Sequence, residues 1–422
     1  MPLTSAHYKA GIALFVAFVI EAWEMLIIAF IAGPLSEDLG FGQVATGFLI
    51  SALFLGMIPG ALLWGPVCDR VGRKRTALVS IGAYGVLTLL AATSVSYEML
   101  WALRFIAGLA MSGIFVITFP YFEELLPVRY RGRATVYLAS GWPFGTLLAV
   151  GVALLLLPLG WRWVIVVSGL ASLWALAIWR WVPESPYWLV NQGRTDEARD
   201  VLRRLSGGAV GDDVELTIEH GRGTAANLRE MLVGGFGMLT LMQVLVNFTF
   251  AYGYWGLATW LPPLLQERGL SQTGSLAFIA ITALFMIPGY ITASSLTGRY
   301  GRKRVFLAYI IVAAIGGFLF AAANSVTMLY LASFVLWFFA LGAWGVWDTW
   351  FGELYPTRLR ANGYAWGVAS QRVANAIAPT ITGVFVASGA GFTGTVAFVE
   401  AFVVVAALLA FYFRETEGLE LA

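Results

Sequence analysis

Apolar residues run along this chain in long blocks separated by short polar breaks. Twelve blocks are long enough to cross a bilayer as helices, each needing about 20 residues. They fall near 11–33, 43–66, 76–95, 98–120, 134–157 and 161–182, then near 232–256, 275–297, 305–323, 327–350, 364–388 and 393–413. The ten-residue alternation of a membrane barrel is not seen. Many blocks are rich in glycine, which suits close helix–helix approach in lipid. One polar interval is much longer than the rest, 183–230. It contains "GRTDEARDVLRRLSGG", where Ala198, Val201, Leu202 and Leu205 share one face of a short amphipathic helix. That helix is expected to lie on the inner membrane surface.

Composition agrees with this pattern. The 422 residues are 59% hydrophobic and 12% charged, with a mean hydropathy of +0.79, whereas soluble domains carry about 25% charged residues. An all-α integral membrane protein follows. Of the 26 basic residues, 22 fall in loops that share one side if the N-terminus is inside. Arg162 and Arg268 fall on the other side, and Arg104 and Arg372 lie within spans. The positive-inside bias therefore puts both termini in the cytoplasm of a plasma-membrane protein. Cys68 is the only cysteine, so the chain can form no internal disulfide or thiolate cluster. The first apolar run is too long for a cleaved signal and is expected to remain in the protein.

An internal repeat organises the spans. "GPVCDRVGRKR" (65–75) aligns with "SSLTGRYGRKR" (294–304), and "ELLPVRYRGRA" (124–134) aligns with "ELYPTRLRANG" (353–363). Both pairings have an offset of 229, and each shares five of eleven residues. Two pseudo-symmetric six-helix bundles are implied, over 1–182 and 231–422, joined by the linker 183–230. A binding site is expected near the midplane between them.

Polar residues inside the spans are the candidate chemistry. "FVIEAWEMLIIAF" places Glu21 and Glu24 one turn apart, roughly 15–20 Å along the first helix. A charge at that depth costs at least about 2.5–3.5 kcal/mol, so both must face the bundle interior or a wet cavity. Neighbouring carboxyls there suit proton binding, with Asp348 on the tenth span as a further candidate. A structural pair bonded to neighbouring helices is the alternative. Arg372 lies near mid-membrane on the eleventh span, with Gln371 beside it and Asn375 a turn later. Its forked guanidinium matches a carboxylate, either of a substrate or of an internal acid such as Asp348 or Glu24. Asn247, Tyr252 and Trp347 complete the candidate substrate-binding set. The offset maps Glu24 onto Gly253, so the aromatic residues of the seventh span, Tyr252, Tyr254 and Trp255, are expected to face the first-span acids. Interface-belt or packing roles are the alternative for each ring. His7 and His220 lie outside the spans. No metal-ligand cluster, phosphate loop or catalytic triad is visible, so neither an enzyme nor a cofactor is expected.

"GPVCDRVGRKR" resembles the signature loop between the second and third spans of the major facilitator superfamily, and the resemblance extends over nearly the whole chain. It implies secondary active transport by alternating access. In that family the loop's acid pairs with nearby arginine and a helix terminus, locking the cytoplasmic side. Asp69 is the matching acid, with Arg70 and Arg73 as partners. Arg131, Glu353 and Arg360 of the second repeated stretch are counted with this gate. The second copy has Gly298 where the acid would stand. Arg104, with Gly108 following, resembles the family's Arg-x-x-x-Gly position and reads as a structural or proton-relay cation. "PESPYWL" (183–189) resembles the end of the sixth span in sugar porters and organic-ion carriers. "WLPPLLQERGLS" (260–271), "ELYPTRLRANG" and "QRVANAIAP" resemble the aromatic-acid:proton symporter and niacin-transporter branch. "EAWE" stands where that branch carries Asp-Gly-aromatic-Asp. The leading expectation is proton symport of a small organic carboxylate by a monomer whose partners are solute, protons and lipid, with no nucleic acid. A sugar:proton symporter or a drug or organic-cation:proton antiporter is the alternative. "QVLVN" keeps Gln243 and Asn247 but lacks the glycine of the sugar-porter run.

Overall fold

The computed structural model describes residues 3–208, 216, 230–231 and 235–417. Its helices are α1 (Ser5–Leu39), α2 (Gln43–Val71), α3 (Arg73–Ala91), α4 (Tyr97–Glu124), α5 (Val128–Ala139), α6 (Gly141–Leu156), α7 (Trp161–Ala171), α8 (Ala175–Trp181), α9 (Pro186–Asn191) and α10 (Thr195–Ser206). The second half contributes α11 (Gly237–Glu267), α12 (Gln272–Tyr300), α13 (Arg302–Ala321), α14 (Val326–Glu353), α15 (Thr357–Ala387) and α16 (Gly391–Ala410). Twelve spans result, because α5 with α6 and α7 with α8 each form one broken span. Nine are long and apolar enough by composition alone, among the described residues. The other three are α3, α11 and α15. α3 opens on the basic run Arg73–Lys74–Arg75, α11 carries Gln243 and Asn247, and α15 carries Gln371, Arg372 and Asn375.

Close backbone contact explains the glycine usage. A Cβ at Gly60 of α2 would lie 2.6 Å from the Leu109 carbonyl oxygen of α4. At the repeat-related Gly289 of α12 it would lie 2.1 Å from the Phe338 carbonyl oxygen of α14. The same helix crossing is therefore built twice, through backbones that any side chain would separate.

The chain packs as two compact units, Met1–Ile27 with Ala52–His220, and Ile28–Ser51 with Gly221–Ala422. Residues 28–51 thus pack with the second unit. There Gly47 lies against the Pro379 backbone of α15, and the hydroxyls of Ser51 and Thr380 are 2.8 Å apart. The core of the first unit gathers Leu14, Ala17, Ile117, Tyr121 and Leu205. That of the second gathers Phe306, Trp347, Trp350, Phe351 and Phe413. Large apolar side chains such as Leu62, Leu63, Leu155 and Leu176 stay exposed, as a surface covered by lipid requires.

α10 forms where the amphipathic pattern placed it. Its apolar face is taken up by protein: Ala198 and Val201 pack with Trp188 and Leu189, and Leu205 joins the core of the first unit. Protein contacts account for Ala198, Val201 and Leu205 on this face. Much of the remaining linker lies outside the described residues.

Candidate functional site

In the first unit, α1 presents Glu21 and Glu24 to α3 and α4. Glu24 is fully buried and Glu21 is 4% exposed. The Tyr84 hydroxyl of α3 donates to Glu24 Oε2. From α4, Arg104 Nη1 lies 3.8 Å from the same oxygen, and Nη2 donates to the Glu24 backbone carbonyl at 3.2 Å. Glu21 accepts a hydrogen bond from Thr118 Oγ1 at 3.1 Å. A cavity of about 20 Å³, room for one water, is bordered by Ala17, Ile20, both glutamates, Ile81 and Tyr84 among others. A buried carboxylate is tolerable only when paired and hydrogen-bonded, and Glu24 has both partners within its own unit. Its cation is Arg104. The phenol of Tyr84, in "SIGAYGVLTLL", escapes sequence reasoning because a lone tyrosine in an apolar helix reads as packing.

In the second unit, the amides converge. Asn247 Oδ1 accepts from Trp347 Nε1 at 3.0 Å and from Gln371 Nε2 at 2.7 Å. Its Nδ2 donates to the Gln243 carbonyl at 2.8 Å, and Gln243 Nε2 donates to the Gly363 carbonyl at 3.1 Å. The Asp348 carboxylate is hydrogen-bonded by Trp344 and Gln371. Arg372, half-buried, follows Gln371 on α15, and Asn375 is buried a turn further on. The structure thus brings together Asn247, Trp347, Asp348 and Gln371. Trp347 is fully buried among Phe306, Trp350, Phe351 and Phe413, so it contributes a fixed donor rather than an open stacking face.

Tyr252 is not part of that group. Its ring stacks on Phe402 at 3.9 Å and meets Phe398 edge-on, both on α16. Tyr254 packs on Trp255, Trp337 and Trp344. These ring contacts lie within the second unit. At the repeat-related Gly253, a Cβ would lie 2.4 Å from a Val403 methyl of α16. That glycine is a packing requirement of α11 on α16.

One further acid was not singled out by the sequence reading. Glu400 of α16 is 1% exposed and occupies the space over Gly317 of α13. Its Oε2 has no hydrogen-bond partner among the described residues. The signal was available, as a lone acid in "FVEAFVVV".

The loop residues also assemble. Arg73 pairs with Asp69 at 3.2 Å and with Glu124 at 3.3 Å. Glu184 accepts from the backbone N–H of Arg73 and of Lys74, capping α3, and Trp188 Nε1 donates to the Asp69 carbonyl. Gly72 (φ 103°) makes the turn, as Gly301 (φ 90°) does in the second loop. Arg70 is exposed. Arg131 donates to the Tyr187 hydroxyl and to the Leu126 carbonyl. Arg302 holds Glu353 at 2.5 Å. Arg360, partly buried, forms no part of the Arg302–Glu353 pair.

Twelve helices in two repeated halves, paired basic loops and buried polar groups define a membrane carrier rather than an enzyme. The Major Facilitator Superfamily profile matches residues 12–297 and 244–421, and the chain belongs to that family. It is 32% identical over 422 residues to a niacin transporter of Acinetobacter baylyi, covering 99% of this chain and 96% of that one. It is 27% identical to a 4-hydroxybenzoate transporter of Pseudomonas putida, covering 86% and 83%. The partially occluded, inward-open structure of the xylose transporter of E. coli superimposes with a TM-score of 0.81 over 99% of this chain and 100% of that one. At 19% identity that likeness shows the fold alone.

Proposed function

We propose that the chain is a proton-coupled symporter for a small organic carboxylate, an aromatic acid foremost. It works by alternating access as a monomer in the plasma membrane, with both termini cytoplasmic. The observation that carries the proton part is Glu24: a fully buried carboxyl, held by a phenol and a guanidinium, beside a cavity of water size. Glu21, on the same cavity, relays the proton toward it. In the second unit Arg372 receives the substrate carboxylate, with Gln371, Asn375 and Asn247 orienting the remainder, and Asp348 is a further proton-coupling group.

Niacin and 4-hydroxybenzoate, the compounds in the relatives' names, are both small aromatic carboxylates, which supports the substrate class. A sugar reading would draw on Gln243 and Asn247, but "QVLVN" lacks the glycine of the sugar-porter run. The test is uptake into proteoliposomes of nicotinate, 4-hydroxybenzoate, xylose and an organic cation, with and without an inward proton gradient. Accumulation of an acid that a protonophore abolishes is the expected result. Uptake of xylose or the cation but of neither acid, or accumulation indifferent to the gradient, overturns the reading.

A further inference from the structure

The two basic loops differ at one position, and the fold makes good the difference from elsewhere. In the first loop Arg73 stands between two acids, Asp69 and Glu124. In the second, 229 residues on, Arg302 keeps Glu353 as the counterpart of Glu124, but position 298 is glycine. Its second acid is Glu417, 2.5 Å from Nη1. Glu417 lies in the segment that follows α16, outside the repeated stretches.

That segment is fixed at several points. Trp350 Nε1 donates to the Arg414 carbonyl at 3.2 Å, and Lys303 Nζ donates to the Phe411 carbonyl at 2.8 Å. The Glu415 carboxylate accepts the backbone N–H groups of Arg302 and Lys303, capping α13 as Glu184 caps α3. Thr416 Oγ1 donates to Glu353 at 2.9 Å. Arg302 occupies the first turn of α13, where the positive end of the helix dipole disfavours a cation. Glu353 and Glu417 flank its guanidinium as Glu124 and Asp69 flank that of Arg73, while Glu415 and Glu184 take the backbone N–H groups of the two turns.

We infer that Glu417 is a positioning residue of the second loop, supplying the acid that Asp69 supplies to the first. Residues 411–417 are then a working part of the carrier. The inference rests on the reading of these loops as gates.

The experiment moves the charge back. A Cβ at Gly298 meets nothing within 4 Å, so an aspartate fits there. Its carboxylate would then be four residues from Arg302, as Asp69 is from Arg73. The full-length chain is reconstituted as wild type, Glu417→Gln, and Glu417→Gln with Gly298→Asp. Hydrogen–deuterium exchange of residues 298–305 is read beside transport. Glu417→Gln should speed deuterium uptake in this turn and change the transport rate roughly two- to five-fold, the range of a partly exposed ion pair. Gly298→Asp should return both to wild-type values, which a merely space-filling role for Glu417 does not allow. Should Glu417→Gln express poorly, recovery of expression in the double variant is the same expected result. Unchanged deuterium uptake in Glu417→Gln, or a defect that Gly298→Asp leaves uncorrected, overturns the inference. The deuterium arm needs no substrate, so its outcome stands even if neither aromatic acid is carried.

Discussion

The two units bury polar chemistry of different kinds. The first hides full charges: Glu24 and Arg104 in one pair, with a phenol attached and Glu21 a turn away. The second gathers dipoles, Asn247, Gln371 and the Trp347 indole, beside Asp348, and its one fully buried acid among the described residues, Glu400, has no cation paired with it in the manner of Arg104. A charged pair in low dielectric responds strongly to the gain or loss of a unit charge. A network of amides and indoles holds fixed donors and acceptors and responds little. The first arrangement suits a proton, and the second suits the orientation of a solute. On the function proposed above, the halves of a duplicated fold divide the labour along this contrast.

Glu24→Gln gives the largest expected effect. It makes the position permanently neutral, so concentrative uptake driven by a proton gradient should vanish. A gradient acts only through a group whose protonation changes. Counterflow at equal pH should survive, because alternating access with a neutral side chain remains allowed. Gradient-driven accumulation that persists in the Glu21→Gln, Glu24→Gln double variant would remove the first unit from the proton path.

Arg104→Leu tests the pair as a structural element. It strands a buried carboxylate and should destabilise the fold by about 3–5 kcal/mol, read as a lowered thermal midpoint in detergent. Adding Glu24→Gln should recover part of the loss, since an amide costs far less to bury unpaired than a charge. Equal midpoints for the single and double variants would show that the two side chains act independently.

Arg372 probes the second unit. Arg372→Ala should abolish thermal stabilisation by nicotinate or 4-hydroxybenzoate, and Arg372→Lys should restore little, because an ammonium cannot reproduce the forked contact. Gradient coupling assigned to the first unit predicts that Arg372→Lys weakens binding without altering the pH dependence of whatever uptake remains. A shift in that pH profile would blur the division between the units.

The smallest effect concerns Glu415, outside the spans. Burial pushes its carboxyl up, but four backbone N–H groups, those of Glu417, Arg302, Thr416 and Lys303, outweigh this and hold it below the usual carboxylate range. With the folded value depressed, its stabilisation is complete above the unfolded value, about 4.3, and is lost as pH falls through the folded value. Corrected for the intrinsic exchange rate at each pH, deuterium uptake of residues 411–417 should therefore be flat from pH 7 to 5 and rise on further acidification. Glu415→Gln should show raised uptake already at pH 7. A rise centred above pH 5 would point to another group.

The twelve spans and their repetition are legible in the sequence, because hydrocarbon forces the backbone into helices and allows few polar side chains within them. The helix at Thr195–Ser206 is legible from its period, and the paired loops from their shared offset. Burial of Glu21 and Glu24 is legible too, since no other disposition is affordable at that depth. Partners are another matter. That Glu24 takes Arg104 and Tyr84, that Tyr252 turns to Phe402, and that Glu417 answers for Gly298 depend on which helix faces lie together. Periodicity gives each helix its polar face but not the neighbour that face will meet. Glu24 lies 80 residues from Arg104, and Arg302 lies 115 from Glu417. Only the packing of α1 on α4, and of the segment after α16 on α13, brings such groups within hydrogen-bonding distance.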